Sequence, residues 1–451
     1  MEIKPRTPLI EPGQTYASVS DQISSRMVQR APLGWYLGFG LALSMLGVYG
    51  LMLLALVLRG VGIWGLNIPV GWGYPIVNFV WWIGIGHAGT LISAMLLLMR
   101  ARWRRSLNRF AEAMTLVALV NAAMLPLLHL GRPLLFYYMI PYPNDMGLWP
   151  QFRSPLLWDM VAVLTYFVVS LLFFYMGLIP DMATLRDRAG GKWSRRIYGA
   201  LALGWVGSAF HWRRYEMAYF LLAALAVPLV VSEHSIVGLD FAYGLIPGWH
   251  ETIGPPFFVA GAVFSGFAMV LALAIPLRDY FRLEAFITDR HLDNLARLML
   301  GTGLLVAFGY FMHIFAGWYL DDVYEESVIL NRFAGPYSWM YYVMLLANVA
   351  IPQLLWSRRV RRNKMALFFI ALSVLGGMWL DRFLIISGSL ARDFLPSSWG
   401  LYRLTLWDGA LFVGSIGFFF TLMYLFVRFM PVISIFEMRE MISDEQEDGD
   451  D

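Results

Sequence analysis

The sequence predicts an all-α integral membrane protein with about ten transmembrane helices. Three observations carry that prediction: repeated apolar runs of about 20 residues, the length needed to cross a bilayer, a residue content that is 59% hydrophobic and 14% charged, and a one-sided distribution of Lys and Arg between the runs. The mean hydropathy of +0.60 and a charged content below the ~25% of soluble domains exclude a soluble globular enzyme and a disordered chain. The alternating pattern of an outer-membrane barrel is absent. The chain has no Cys. That excludes iron–sulfur clusters, Cys-ligated zinc and covalently attached haem held by this chain itself. A net charge of +3 gives no reason to expect nucleic acid as a partner.

The ten spans fall at about 35–58, 76–99, 112–130, 156–178, 215–232, 256–277, 296–318, 338–356, 365–386 and 407–429. With the N-terminus inside, 27 of the 34 Lys and Arg fall on the inner side and seven on the outer side. By the positive-inside rule this places both termini in the cytoplasm. The first 30 residues carry no apolar stretch, so no cleavable signal is expected. Residues 193–208, with Trp193, Arg195, Arg196, Tyr198 and Trp205, suit an amphipathic helix on the inner leaflet. The acidic tail, 431–451, reads as a disordered segment.

Spans 2–5 and 6–9 form two quartets of the same orientation, which suggests two four-helix bundles related by an axis along the membrane normal. The second span of each quartet ends outside at a histidine, His129 and His313. Spans 1 and 10 are then peripheral. The expected organisation is a cytoplasmic segment at 1–34, span 1 and a loop at 35–75, a first bundle with the site at 76–254, a second bundle at 255–395, span 10 at 396–430 and the tail at 431–451.

Ionisable residues at membrane depth are expensive, and each one needs a reason. Here they gather at the outer end of the first quartet: His129 and Arg132 after span 3, Asp159 at the start of span 4, and Glu233, His234 and Asp240 after span 5. His87 lies about halfway down span 2, between Gly84, Gly86 and Gly89. Each also has a plainer reading. Asp159 suits a helix N-terminus, Arg132 an interface anchor, Asp240 a solvated loop and His87 a satisfied core histidine. Pro126 and Pro228 precede His129 and Glu233 and are expected to break their helices locally. In the second quartet His313, Asp321 and Asp322 cluster outside, and Asp381 beside Arg382 suits a salt bridge or part of a proton path.

A histidine and two aspartates beside a lipid-accessible cleft suit a two-electron, two-proton substrate such as a quinol. The His accepts one hydroxyl proton and a carboxylate orients it and relays the other. Trp81, Trp82, Tyr137, Tyr138 and Trp158 are candidate walls for the ring. No two spans of one quartet carry His at matching depth, so a haem is not expected, and electrons have to leave through a partner on the outer face.

The stretches 81–90 and 128–133 (Leu-His-Leu-Gly-Arg-Pro), set in ten spans and two quartets, resemble the polysulfide reductase membrane-subunit (NrfD-like) family, most closely the C subunit of bacterial alternative complex III. The resemblance covers about residues 30–430. It implies a cofactor-free subunit of the bacterial inner membrane that oxidises quinol, menaquinol by resemblance. It also implies three partners: an outer iron–sulfur subunit, a multihaem cytochrome c subunit and a paralogous membrane subunit. By the same resemblance His129, Asp159 and Asp240 are the reacting groups, with His87, Arg132, Glu233, His234 and Trp158 around the quinone. The competing readings are a secondary transporter or proton channel, which is expected to place its polar groups near the midplane, and a structural anchor for redox subunits. Below His87 the first quartet reads as nearly apolar down to Arg100 and Arg102, so protons from the site are expected to leave outward.

Overall fold

The computed structural model describes residues 9–28, 30–140, 142, 147, 149 and 151–450. Lys4 and Arg6, counted above on the inner side, and Asp451 of the tail lie outside the described residues. All secondary structure among the described residues is helical. A short α1 (Tyr16–Val28) precedes α2 (Leu33–Arg59). The second span is α3 (Tyr74–Thr90), continued through a π-helical turn (Leu91–Met95) into α4 (Leu96–Leu98). Then come α5 (Asn108–His129), α6 (Pro155–Arg188), the surface helix α7 (Lys192–Leu201), α8 (Ala209–Asp240), α9 (Gly254–Tyr280) and α10 (Asp289–Tyr319). A short α11 (Val323–Ala334) leads to α12 (Ser338–Leu345), whose span runs on to Trp356, and to α13 (Arg358–Arg361). Last are α14 (Lys364–Phe383), α15 (Leu406–Phe429) and α16 (Ile435–Asp450). Ten of these segments are long and apolar enough to cross a membrane.

The starts of several spans follow from capping. Thr405 and Asp408 form a reciprocal capping box at α15, and the Asn363 side chain accepts from the Ala366 N–H at 3.1 Å at the start of α14. At the core, α3 and α9 are the most buried spans, with 83% of each apolar window enclosed. They cross closely because their small residues face each other: a Cβ added at Gly266 would stand 2.8 Å from the Ala88 backbone nitrogen. α3 also packs on α5, α6 on α8, and α9 on both α10 and α14. The first and last spans, α2 and α15, pair with each other, and α15 touches α5. The C-terminal end of α2 and the N-terminal end of α15 are tied by Asp408, which accepts from the Gly65 N–H at 3.1 Å and from the Tyr402 hydroxyl at 2.6 Å.

Three expectations change. The tail is a helix, α16, which buries Met438 and Met441 under the bundle; its apolar face gives it a place to dock, so it is not a disordered tail. α6 and α8 extend well past the apolar runs, so Glu233 and His234 lie inside α8 and Asp240 is its last residue. The part of the first quartet expected to be nearly apolar, from His87 down to Arg100, is not: on the α16 side of α5 and α6, Arg109, Glu112 and Asp181 are buried.

Candidate functional site

On the face opposite α1 and α16, the ends of α5, α6 and α8 and the segment Pro133–Met139 enclose a cleft of about 570 Å³. His129, Asp159 and Asp240 all line it. Each arrives from a different helix end. His129 closes α5 three residues after Pro126, which removes a backbone donor and also lines the cleft. Asp159 sits in the first turns of α6, which begins at Pro155. Asp240 ends α8.

Apart from Gln151 and Ser154, the remaining wall is apolar: Ile76, Phe79, Leu127, Leu157, Met160 and Val163 among others. The Trp72 ring meets His129 edge-on with centroids 6.3 Å apart and also packs on Phe241 at 5.7 Å. Its backbone carbonyl accepts from the Ser387 hydroxyl at 3.0 Å. On the membrane side Leu130, Leu156 and Leu164 are exposed, which leaves the cleft an apolar mouth between α5 and α6. Inside it, His129 Nδ1, Asp159 Oδ1 and Asp240 Oδ1 are buried without a hydrogen-bond partner. Buried polar atoms are nearly always satisfied, and unsatisfied ones facing a cavity mark a place for a ligand's polar groups.

The other expected site residues lie elsewhere. His87, Glu233 and His234 form a separate, fully buried group deeper in the bundle. His87 Nε2 lies 2.8 Å from Glu233 Oε2, His234 Nδ1 lies 3.8 Å from the same oxygen, and the two imidazole rings are 4.4 Å apart. They leave the cleft because α8 is helical through this region, which turns Glu233 and His234 inward toward α3. His87 Nδ1 faces the Ile83 carbonyl at 2.6 Å and its Nε2 faces the Val230 carbonyl at 3.1 Å. The three residues are also close enough to ligate a metal ion, with ligand atoms within 4.8 Å of one another.

Arg132 is exposed just past α5 and does not line the cleft. Trp158 turns away: its indole N–H donates to the Phe152 carbonyl at 2.8 Å. Trp81 and Trp82 are core residues that bond the Leu375 carbonyl at 3.0 Å and the Ser415 hydroxyl at 3.0 Å. Tyr137 and Tyr138 stack on each other at the surface. The aromatic walls are instead Trp72, Phe79, Phe136 and Phe241. A regular pattern of aromatics gave no means of choosing these from the sequence. In the second half His313 pairs with Glu251, Asp381 lies 3.4 Å from Arg382, and Asp322 caps α11 through the Tyr324 N–H at 2.8 Å.

With this geometry in view, comparison with known proteins is decisive for the family. The family described as "Polysulphide reductase, NrfD" matches residues 64–392. The chain belongs to the NrfD family. This NrfD chain is similar to the C membrane subunit of a putative dimethyl sulfoxide reductase from Halobacterium salinarum, with 26% identity over 76% of this chain and 77% of that protein. It is similar to the C subunit of the selenate reductase of Mesobacillus selenatarsenatis, with 22% identity over 87% of this chain and 93% of that protein. It is also similar to the "Hdr-like menaquinol oxidoreductase integral membrane subunit" of Archaeoglobus fulgidus, with 22% identity over 70% of this chain and 69% of that protein. The NrfD match spans both the cleft and the His87–Glu233–His234 group, as well as α9 and α14.

Proposed function

We propose that this NrfD chain is the quinol-oxidising membrane subunit of an electron-transfer complex, of the kind represented by the C subunit of alternative complex III, with menaquinol as substrate. The observation that carries the reading is the cleft: three polar groups with unpartnered buried atoms, His129, Asp159 and Asp240, in a largely apolar pocket that opens sideways toward lipid. A quinol is an apolar molecule with two hydroxyls at opposite ends of a ring, and the pocket offers acceptors to both. His129 takes a hydroxyl proton, and Asp159 and Asp240 orient the ring and take the second. The name of the Archaeoglobus relative contains the same substrate. Electrons pass to an iron–sulfur subunit docked on the cleft face and onward to a multihaem cytochrome c, and the complex also holds a paralogous membrane subunit. The protons leave on the cleft side, which is the outer side of a bacterial inner membrane when both termini are cytoplasmic.

Photolabelling tests this directly. The membrane complex is irradiated with an azido-quinone, with and without excess menaquinone, and the modified peptides are mapped. The expected adducts fall on cleft residues such as Leu127, Leu157 and Met160 and disappear with competitor. Adducts confined to other grooves, such as the one between Trp35, Tyr280 and Tyr424, refute the placement.

A further inference from the structure

The inner half of the first quartet encloses five charged side chains. Arg109 (1% exposed), Glu112 (3%), Asp181 (0%), Arg104 (5%) and Glu437 (2%) come from α5, α6, the turn Arg102–Ser106 and α16. Arg109 Nη2 donates to Asp181 Oδ2 at 3.2 Å and to the Gly177 carbonyl at 2.5 Å, and its Nη1 lies 3.4 Å from Glu112 Oε2. Asp181 Oδ1 accepts from the backbone N–H groups of Ile435 and Phe436, at 3.1 and 3.2 Å, at the first turn of α16. Glu437 accepts from Arg104 at 3.2 Å and from Asn108 at 2.7 Å. Tyr219 of α8 donates to Glu112 Oε1 at 3.1 Å, and Tyr215 lies buried beside it.

Within this buried set three carboxyls face two guanidiniums; the half-buried Arg439 adds a third positive charge, but on the Asp181 side, so Glu112 has only its share of Arg109. A buried group in that position neutralises itself by holding a proton. The proton does not belong on Asp181, which has Arg109 and two helix-terminal N–H donors. Nor does it belong on Glu437, which has Arg104 and Asn108. Glu112 has the longest contact to Arg109 and a phenol for its second partner. α16 closes the cluster from below: its Ile435, Met438 and Met441 are fully buried, and Arg105 holds it at Asp444, 2.7 Å away.

We propose that Glu112 is a proton-holding site on the face that carries α1 and α16, and that α16 is the stopper controlling its exchange with water. This inference rests on the cluster alone and stands or falls separately from the quinone reading.

The test uses the full chain in its native membranes and two carbodiimides, with peptide mass spectrometry as the readout. The apolar dicyclohexylcarbodiimide, which favours protonated carboxyls in apolar sites, is expected to modify Glu112 in the intact chain and to spare Asp181 and Glu437. A water-soluble carbodiimide is expected to leave Glu112 untouched until α16 is released. Release is produced by the double substitution Met438→Asp/Met441→Asp and, separately, by the single substitution Met441→Asp, both of which leave Glu437 in place. Modification of Glu112 is then expected to rise at least ~10-fold, as a local opening equilibrium shifts. Faster amide exchange at Ile435 and Phe436 confirms release in the substituted chain. Absence of Glu112 modification by the apolar reagent overturns the proposal. So does equal modification by the water-soluble reagent with α16 docked and released.

Discussion

His87 of α3 and Glu233 of α8 meet at 2.8 Å with neither residue exposed by more than 1%. A buried pair of this kind adds little net stability, but removing one partner strands the other in apolar surroundings. The substitution His87→Phe is therefore expected to destabilise the protein by about 3–5 kcal/mol. Adding Glu233→Leu to it is expected to recover most of the loss. Thermal unfolding of the purified complex measures both, and a double variant no more stable than the single one contradicts the pairing.

His129→Phe keeps an aromatic ring in the cleft and removes the proton acceptor. Quinol oxidation by the purified complex is expected to fall ~10²-fold or more, the usual contribution of a positioned base, while the complex still assembles. A turnover number equal to that of the unsubstituted complex removes His129 from the chemistry.

Met160→Trp fills the cleft from the α6 wall without touching its polar groups. An overfilled pocket costs about 1–3 kcal/mol, so the quinol KM is expected to rise about tenfold or more. Steady-state kinetics with a water-soluble quinol analogue give the answer: an unchanged KM means the substrate binds elsewhere.

Gly266→Leu places a side chain where α9 crosses Ala88 of α3. The neighbour is backbone and cannot yield, so the two most buried spans have to separate. Little of this variant is expected in membranes relative to the unsubstituted chain, measured by immunoblot. Normal accumulation indicates a looser crossing than the geometry gives.

The spans were legible because each apolar run is long enough to be read without context, and the gathering of His129, Asp159 and Asp240 at one end followed from their depth and the direction of each span. Other features depended on facts outside any local pattern. Glu233 and His234 fall just after the apolar run, which ends near 232, yet α8 stays helical to Asp240 and turns them toward His87. Glu112 sat at the edge of a run and Arg109 in a basic segment. Arg109 finds Asp181 72 residues on and Glu112 finds Tyr219 107 residues on, while Asp181 in turn meets the first turn of α16; only folding brings them together. For α16 a signal was present and unused: Ile435, Met438 and Met441 recur at helical spacing among the acidic residues, opposite a basic turn at Arg102–Ser106.

Asp408 accepts from Gly65 across 343 residues of sequence and from nearby Tyr402. Spans enter a membrane in chain order, so α2 is inserted long before the helix it pairs with exists. Until α15 arrives, α2 lacks its main partner and has only its contact with Tyr280 of α9, and the closure that joins α2 to α15 is among the last events of folding. Contacts this distant slow a folding reaction because the loop between them has to be ordered first. A lesion at Asp408 is therefore expected to act late, on a chain whose core helices are already packed, and to leave a nearly complete protein with a loose first helix.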